Sequence, residues 1–343
     1  MEQEKETELV TRQLKWWSNY SNNADWETNR NSWGKFRNHS VPHITKAKLT
    51  ELVVPDIKDV LMDYLSKEGI QKHTGYNNLK SSWVLCANLY FLVRSNPSFN
   101  KLMLGFLKEK ISDKITEITE LELEFAFPQG DALHPENLLG EKGGSRGSGQ
   151  TSPDIAFIVK TKQGKGIILT ECKYTETSFY KCSARKSDKN KNRETNHELN
   201  RCLKPLSADE YSTFCHQKKW GRKYMELLKF SQAGKKILKQ CPAATNGYQL
   251  FRQQALAEGI ATISNDYDLV VSSVAFDQKN TDLINSLKPI GVDDFQSGWA
   301  NIFEGKALFK TWTHQEWVQY VRTNRVGSEF NSWLQYIEDR YGY

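Results

Sequence analysis

The sequence predicts an α/β fold in which a small mixed β-sheet is flanked by helices, with a helical N-terminal extension and a basic helical insertion. Residues 153–173 contain two apolar runs around a polar turn with glycine, as in a β-hairpin. A further apolar run, Asp268–Phe276, predicts another strand, and helical patterns lie before and after the hairpin. A chain order of helix, three strands, helix and strand is typical of a mixed sheet covered on both faces.

Composition restricts the class of protein. A hydrophobic fraction of 38% with 12% aromatic residues supports a packed core and excludes a wholly disordered chain. No apolar run approaches the length of about 18 residues that a membrane span needs, and the acidic N-terminus has no signal-peptide pattern. The six cysteines are scattered without close pairs, which favours reduced thiols. We therefore expect a cytoplasmic protein that binds no membrane.

The N-terminal part is expected to be helical. An amphipathic helix is predicted over residues 2–20 and an irregular segment over 21–46. Pro55 fits the first turn of a helix that ends near Lys67, before Gly69. Helices over 79–95 and 98–111 are separated by Asn96 and Pro97. A strand over 118–127 follows, with Glu122 and Glu124 on one face.

The end of the predicted hairpin carries three charged residues. Asp154 opens its first strand, and Glu171 and Lys173 close the second. Glu171 and Lys173 point to the same side because side chains alternate along a strand, while Cys172 points away. Two carboxylates beside an ammonium on rigid strands can hold a hard divalent cation and an attacking water. An ordinary hairpin with a solvated charged face fits the bare pattern equally well.

The motifs around these residues resemble the PD-(D/E)XK, or restriction-endonuclease-like, nuclease superfamily. The resemblance is to a bacterial branch with T-S-x-D and E-x-K-Y-[S/T]-E motifs, which appear here as Thr151–Asp154 and Glu171–Glu176. It is specific at these motifs and weaker along the rest of residues 75–320. In the downstream helix, the pattern has a His where this chain has Gln254.

The resemblance implies a metal site and residue roles. Asp154, Glu171 and the backbone carbonyl of Cys172 are expected to bind Mg²⁺, for which Mn²⁺ can substitute. Lys173 is expected to neutralise charge on the phosphate, and Glu124 is the candidate for an additional catalytic and metal-binding carboxylate. Glu122 is its rival, because both glutamates are predicted on one strand face.

Nucleic-acid contacts are expected from two further regions. Gln249 and Arg252 lie one turn apart on a predicted helix and can reach a phosphate, although a solvated helix face explains them as well. Residues 181–240 carry 16 Lys or Arg against 6 Asp or Glu, an excess that suggests a polyanion surface. Lys218, Lys219, Arg222 and Lys223 are the candidates within predicted helices at 208–218 and 219–239, and a solvated helical face is the alternative.

Two more features bear on organisation. Gly140–Gly149 is predicted to be a flexible connection between strands, and Cys202, Cys215 and His216 form a weak candidate for a zinc site. We expect an N-terminal extension over 1–75, a nuclease-like domain over 76–320 with its basic insertion at 177–246, and a C-terminal helix over 321–343 that packs on the core.

The predicted function is that of an Mg²⁺-dependent endonuclease. DNA is the preferred substrate, although the sequence does not distinguish DNA from RNA. The resemblance favours a role in bacterial restriction or antiviral defence, and a homo-oligomer or a partner protein from a defence system is expected. One alternative is a nuclease-fold module that binds nucleic acid without cleaving it. A second is a nonenzymatic interaction protein that uses its ten tryptophans, among them Trp16, Trp17, Trp26 and Trp33, as a partner surface.

Overall fold

A computed structural model describes residues 9, 11–17, 19, 35–36, 39–40, 48–70, 75–76, 78–185, 194–205 and 215–343. Residues 11–17 are helical, in agreement with the first predicted helix. The irregular segment expected at 21–46 lies almost entirely outside the described residues, as does most of the helix expected at 208–218. Trp26 and Trp33 also lie outside them.

Five strands form one mixed sheet, and their order in the sheet is their order in the chain. The strands are β1 (Ile115–Leu123), β2 (Ile155–Thr161), β3 (Lys165–Lys173), β4 (Tyr267–Phe276) and β5 (Leu308–Thr313). β1, β2 and β3 pair antiparallel, whereas β3, β4 and β5 pair parallel. The predicted mixed sheet and its hairpin are therefore confirmed.

Helices cover both faces of this sheet. The boundary expected between two early helices is present: the Asn96 side chain accepts a hydrogen bond from Phe99 N at 3.0 Å and Pro97 opens the second helix, as capping chemistry predicts. The helices are Leu49–Leu52, Lys58–Lys67, Ser82–Tyr90, Leu92–Ser95, Pro97–Lys110, Pro135–Leu139, His216–Lys219, Tyr224–Leu227, Gln232–Ile237, Tyr248–Ile263, Thr281–Asn285, Phe295–Ala300, His314–Asn324 and Asn331–Tyr341. Within the described residues, none is long and apolar enough to cross a lipid bilayer.

The sheet separates two hydrophobic cores, and β3 contributes to both. Ile168 and Cys172 belong to the core that contains the Ser82–Tyr90, Pro97–Lys110 and C-terminal helices. Ile167 and Leu169 belong to the core formed with the Tyr248–Ile263 helix. This alternation confirms that Cys172 points away from Glu171 and Lys173.

Most tryptophans are core residues. Seven are buried among the described residues: Trp16, Trp17, Trp83, Trp299, Trp312, Trp317 and Trp333. Packing inside the protein removes these rings from the surface. The structure therefore argues against a tryptophan-lined partner surface.

The glycine-rich segment Gly140–Gly149 is not the flexible connection that its composition predicts. Arg146 donates hydrogen bonds to Glu122 Oε2 at 2.6 Å and to Glu68 Oε2 at 2.7 Å. Glu141, which is 1% exposed, accepts one from Thr151 Oγ1 at 2.7 Å. Long-range partners of two charged residues hold the segment, and composition alone does not reveal such partners.

The basic insertion is less helical than predicted. In place of one helix over 219–239, the chain forms two short helices joined by a two-residue strand, Lys229–Phe230, which pairs with Phe303–Glu304. Gly221 has a φ of +74°, a left-handed conformation that interrupts the expected helix. Cross-strand pairing with a distant segment thus overrides local helix propensity.

A buried arginine joins the two ends of the chain. Arg340, on the last helix, is 0% exposed, and its guanidinium donates to Gln13 Oε1 at 3.3 Å and to Tyr336 OH at 2.9 Å. It also donates to the carbonyl of Leu52 and lies 4.3 Å from the centre of the Trp16 ring. One side chain thus connects the 11–17 helix, the Leu49–Leu52 helix and the C-terminus.

We predict that Arg340→Ala lowers the free energy of unfolding by on the order of 3 kcal/mol, because several buried acceptors lose a charged donor. Lys67→Ala is the control, since Lys67 pairs with Asp63 on an exposed helix face, with side chains 72% and 61% exposed, and this pair should contribute no more than about 1 kcal/mol. Urea denaturation measures both, and equal losses would contradict the prediction.

Candidate active site

The hairpin brings Asp154 against the end of β3. Ile155 pairs with Thr170, so that Asp154, one residue earlier, lies across from Glu171. The backbone N–H of Cys172 donates to Asp154 Oδ2 at 2.7 Å. This bond fixes the carboxylate beside the charged end of β3, as strand register predicts.

Glu171 and Lys173 form a buried ion pair. Their side chains lie on the same face, with Lys173 Nζ 2.7 Å from Glu171 Oε1. The Lys173 side chain is 4% exposed and that of Glu171 is 10% exposed. Burial alone would lower the pKa of Lys173, but the carboxylates of Glu171, Glu176 and Asp154 outweigh it and raise that pKa above its ordinary value. Lys173 therefore remains a cation in a desolvated site.

The buried His314 hydrogen-bonds to the backbone of Lys173. His314 Nε2 lies 3.0 Å from the Lys173 carbonyl and His314 Nδ1 lies 2.9 Å from Tyr90 OH. Burial lowers the pKa of His314 to about 4. The ring is thus neutral at pH 7: one nitrogen donates to the carbonyl and the other accepts from the tyrosine.

Two further carboxylates lie in the field of this ion pair without a cation of their own. Burial and then the charge of Glu171 raise the pKa of Glu124 to about 8. The same two causes, followed by Glu124, raise the pKa of Asp154 well above its ordinary value. Lys173 and, at Glu124, Arg146 lower these pKa values but do not outweigh burial and the neighbouring carboxylates. An additional positive charge would stabilise the ionised forms.

Glu124 and Glu122 do not share a face, contrary to the prediction. β1 ends at Leu123, and Glu124 has a left-handed backbone with φ +47°, so strand alternation stops before it. Glu122 instead pairs with Arg94 at 2.8 Å and Arg146 at 2.6 Å. A left-handed conformation is costly for a residue with a side chain, and here it turns Glu124 toward the other acidic groups.

The hydrogen bonds of the acidic group use one oxygen of each of two carboxylates. Asp154 receives its hydrogen bond on Oδ2, and Glu171 receives those of Lys173 and Gln249 on Oε1; the second oxygen of each carboxylate takes part in none of them. Across the described residues, no three His, Cys, Asp or Glu side chains already surround a single point. Two carboxylates, a carbonyl and water suit Mg²⁺, which keeps part of its hydration shell.

Gln249 and Arg252 have different environments. Gln249 Nε2 donates to Glu171 Oε1 at 2.8 Å and therefore belongs to the acidic site. Arg252 Nε contacts Glu141 Oε1 at 3.2 Å and Thr151 Oγ1 at 3.0 Å. Burial alone would raise the pKa of Glu141, but Arg252 and hydrogen bonds from Tyr224 and Thr151 lower it. Arg252 is thus already paired with a buried carboxylate.

The four basic candidates of the insertion separate into two pairs. Lys218 and Lys219 are exposed, and Lys219 pairs with the exposed Glu194 at 2.8 Å. Arg222 donates to the carbonyl of Gly140, and Lys223 Nζ donates to Asn137 O at 2.9 Å. Two of the four side chains thus support the Pro135–Gly140 segment.

Two residues near the site were not predicted from the sequence. Tyr180 is 52% exposed, has φ +58°, and its ring centre lies 5.7 Å from Lys173 Nζ. An exposed, strained aromatic residue at an acidic site is a candidate substrate contact. Glu141 is the second residue that the sequence did not reveal. It lies in a glycine-rich segment, and nothing in the local sequence indicates that it is buried and paired with Arg252.

The structure does not favour the zinc site that was conceivable from Cys202, Cys215 and His216. Cys182, Cys202, Cys215 and Cys241 line one small cavity with His216. Within the part of the chain that the structure describes, no group of three or more His, Cys, Asp or Glu side chains is placed to hold a metal ion. His216 Nε2 is instead 2.9 Å from Glu194 O.

A five-stranded mixed sheet flanked by helices is compatible with a restriction-endonuclease-like core. In agreement, residues 11–342 match the family described as restriction endonuclease associating with ARP. The match spans nearly the whole chain, and the protein belongs to this family. Comparison with curated proteins and with solved structures gave no match.

We predict that Glu124→Gln stabilises the metal-free protein in alkaline solution. The pKa of Glu124 in the folded chain, about 8, lies above its ordinary value, so the folded state holds the proton more tightly. The protonated Glu124 side chain therefore stabilises the folded state fully below about pH 4.5, and this stabilisation is lost as the pH rises toward 8. With EDTA present, the Tm of the wild type should fall over this range by a few degrees more than that of Glu124→Gln.

Exposed Glu329→Gln is the control for loss of one carboxylate, and its Tm should follow the wild type at every pH. If the Tm of Glu124→Gln and that of the wild type depend on pH in the same way, the pKa of Glu124 is not raised and the prediction is wrong.

Proposed function

We propose that this protein is a metal-dependent endonuclease that hydrolyses phosphodiester bonds, with DNA preferred over RNA, in bacterial restriction or antiviral defence. The observation that carries the proposal is the convergence of Asp154, Glu171 and Lys173 at the end of one hairpin. Membership of a family described as restriction endonucleases supports the same reaction.

Asp154 and Glu171, with the carbonyl of Cys172, would hold Mg²⁺ or Mn²⁺. The chemistry that the ion would supply is positive charge against the scissile phosphate and activation of water. Glu124, the remaining carboxylate of the group, would take a further ligand position or orient a water. Because its pKa is raised to about 8, Glu124 would release a proton when the cation binds.

Lys173 would act as an electrophilic group. It is cationic and buried, and a positive charge in a desolvated site stabilises charge on phosphate oxygens more strongly than one in water. Gln249 positions Glu171 through its 2.8 Å hydrogen bond, and His314 positions the Lys173 backbone. Arg252, which binds Glu141, would support the loop beside the site and not contact phosphate directly.

A partner protein is also proposed. The family description names association with ARP, and we extend that association to this chain. Co-purification of the two proteins from one cell tests it.

We predict that Asp154→Asn, Glu171→Gln and Lys173→Met each reduce cleavage by on the order of 100-fold or more while leaving the protein folded, because the three groups act as a unit. Lys165→Met is a matched control, since Lys165 is exposed at the other end of the same strand. Cleavage of plasmid, single-stranded DNA and RNA is measured with Mg²⁺, Mn²⁺ or EDTA.

If Lys173→Met cleaves nucleic acid at the wild-type rate, the assigned site is wrong. Tight DNA binding without cleavage in any metal would instead favour the nucleic-acid-binding module over the enzyme. Cleavage of RNA alone would correct the proposed substrate.

We further predict that Lys218→Ser combined with Lys219→Ser weakens DNA binding. The negative slope of log K against log salt should become less steep by about 0.9 for each lost phosphate contact. Both side chains are exposed, whereas Arg222 and Lys223 hold backbone carbonyls. Replacing Arg222 and Lys223 should therefore lower the Tm in addition to any change in DNA binding.

The control is Lys160→Ser combined with Lys162→Ser. These lysines are exposed near the hairpin turn, paired with Glu117 and Asp113, at the opposite end of β2 from Asp154. A salt slope that is unchanged in the Lys218 and Lys219 variant would remove that pair from the DNA-binding surface.

A further inference from the structure

Tyr180 is a large aromatic residue at the protein surface beside the acidic site. It is 52% exposed, whereas the adjacent Phe179 is 0% exposed and stacks on Phe295 with ring centres 5.4 Å apart. The first ring of this aromatic pair therefore anchors the segment in the core, and the second is presented at the surface.

The backbone of Tyr180 is held in an unfavourable conformation. Its φ is +58°, a left-handed value that glycine adopts readily and that is costly for a residue with a Cβ. Tyr248 N donates to Tyr180 O at 3.0 Å, and Gln249 N donates to Phe179 O at 2.9 Å. These bonds attach the segment to the first turn of the Tyr248–Ile263 helix, whose N–H groups lack partners within the helix. Strain that the surrounding structure enforces is concentrated at functional sites.

The Tyr180 ring lies over the buried lysine of the acidic site. Lys173 Nζ is 5.7 Å from the centre of the ring, within the range of a cation–π contact. A base is joined to its phosphate through a single sugar. A phosphate held at Lys173 would therefore bring a neighbouring base within reach of this exposed ring.

We propose that Tyr180 is a substrate contact that stacks on a base of the DNA strand beside the scissile phosphate. This inference rests on the proposed nuclease function and specifies the substrate further. Stacking on an aromatic side chain needs an accessible base face and depends little on which base is present. Neighbouring pairs cover both faces of a base inside a regular duplex. Tyr180 thus favours single-stranded DNA, or a base extruded from a duplex, at the point of cleavage.

The alternative role for Tyr180 is to shield Lys173 from water without touching the substrate. Both roles need a large side chain, but only stacking needs an aromatic face. Tyr180→Phe retains that face, and Tyr180→Leu retains a large apolar side chain without it. Tyrosine, phenylalanine and leucine all carry a Cβ, so the backbone strain is similar in the three proteins.

The direct test uses the full chain and single-stranded DNA with 2-aminopurine at successive positions, in EDTA to prevent metal-dependent cleavage. Stacking quenches this fluorescent base, so the wild type and Tyr180→Phe should quench it at one position and bind with similar affinity. Tyr180→Leu should lose the quenching and bind about tenfold more weakly. Tyr267→Leu is the control for loss of a tyrosine ring, since Tyr267 pairs with Lys165 at the other end of β3. It should bind like the wild type.

Steady-state cleavage of single-stranded DNA in Mg²⁺ is the second measurement. Tyr180→Leu should raise KM by about tenfold and change kcat much less, because the lost contact contributes to substrate binding. A loss confined to kcat, with binding unchanged, would assign Tyr180 to the shielding role and overturn the proposal. Impairment of Tyr180→Phe equal to that of Tyr180→Leu would overturn it as well.

The outcomes separate this inference from the nuclease function. If the wild type cleaves DNA and Tyr180→Leu binds and cleaves it equally well, the stacking contact is wrong and the nuclease function stands. If the wild type binds DNA without cleaving it and Tyr180→Leu loses quenching and affinity, the stacking contact stands and the nuclease function is wrong. A wild type that neither binds nor cleaves DNA would refute both.

Discussion

The crowding of acidic groups around one buried lysine is the constraint on which the site depends. Asp154, Glu171 and Glu124 lie close together, and burial with their mutual repulsion raises the pKa values of Asp154 and Glu124. Lys173 opposes this shift at both residues, and Arg146 opposes it at Glu124. Such an arrangement is unfavourable for the isolated fold because buried like charges repel. Rigid strand ends, the Cys172 N–H and the His314 support hold these groups together nonetheless.

Other buried carboxylates of the protein have different partners. Glu122 has Arg94 and Arg146, and Glu141 has Arg252. The buried Glu258 and Asp277 accept hydrogen bonds from uncharged groups. The hairpin end differs from these sites because several carboxylates lie close together there and raise the pKa values of Glu124 and Asp154.

The Tyr248–Ile263 helix organises the face of the sheet that carries function. From its N-terminal part, Gln249 reaches Glu171 and Arg252 reaches Glu141. Farther along, Gln254 and Glu258 line a separate cavity beside the start of β5. Gln254 stands where the resembling nuclease pattern has a His, and it contacts Glu258 and not the acidic site. One helix thus contributes side chains both to the acidic site and to the interior near β5.

Local sequence was sufficient for the hairpin, the mixed sheet and the grouping of Asp154, Glu171 and Lys173. Apolar runs, turn residues and strand alternation act over few residues, and they specify register when one face is buried. The helix boundary at Asn96 and Pro97 was predictable for the same reason, since capping is local chemistry.

Tertiary structure alone decided the features that depend on distant partners. The left-handed backbone of Glu124, which separates it from Glu122, is not encoded by alternation along β1. The order of Gly140–Gly149 depends on Glu68, Glu122 and Arg252, and the pairing of Lys229–Phe230 depends on Phe303–Glu304. The free energy of these contacts comes from residues far apart in sequence, so propensity and composition could not predict them.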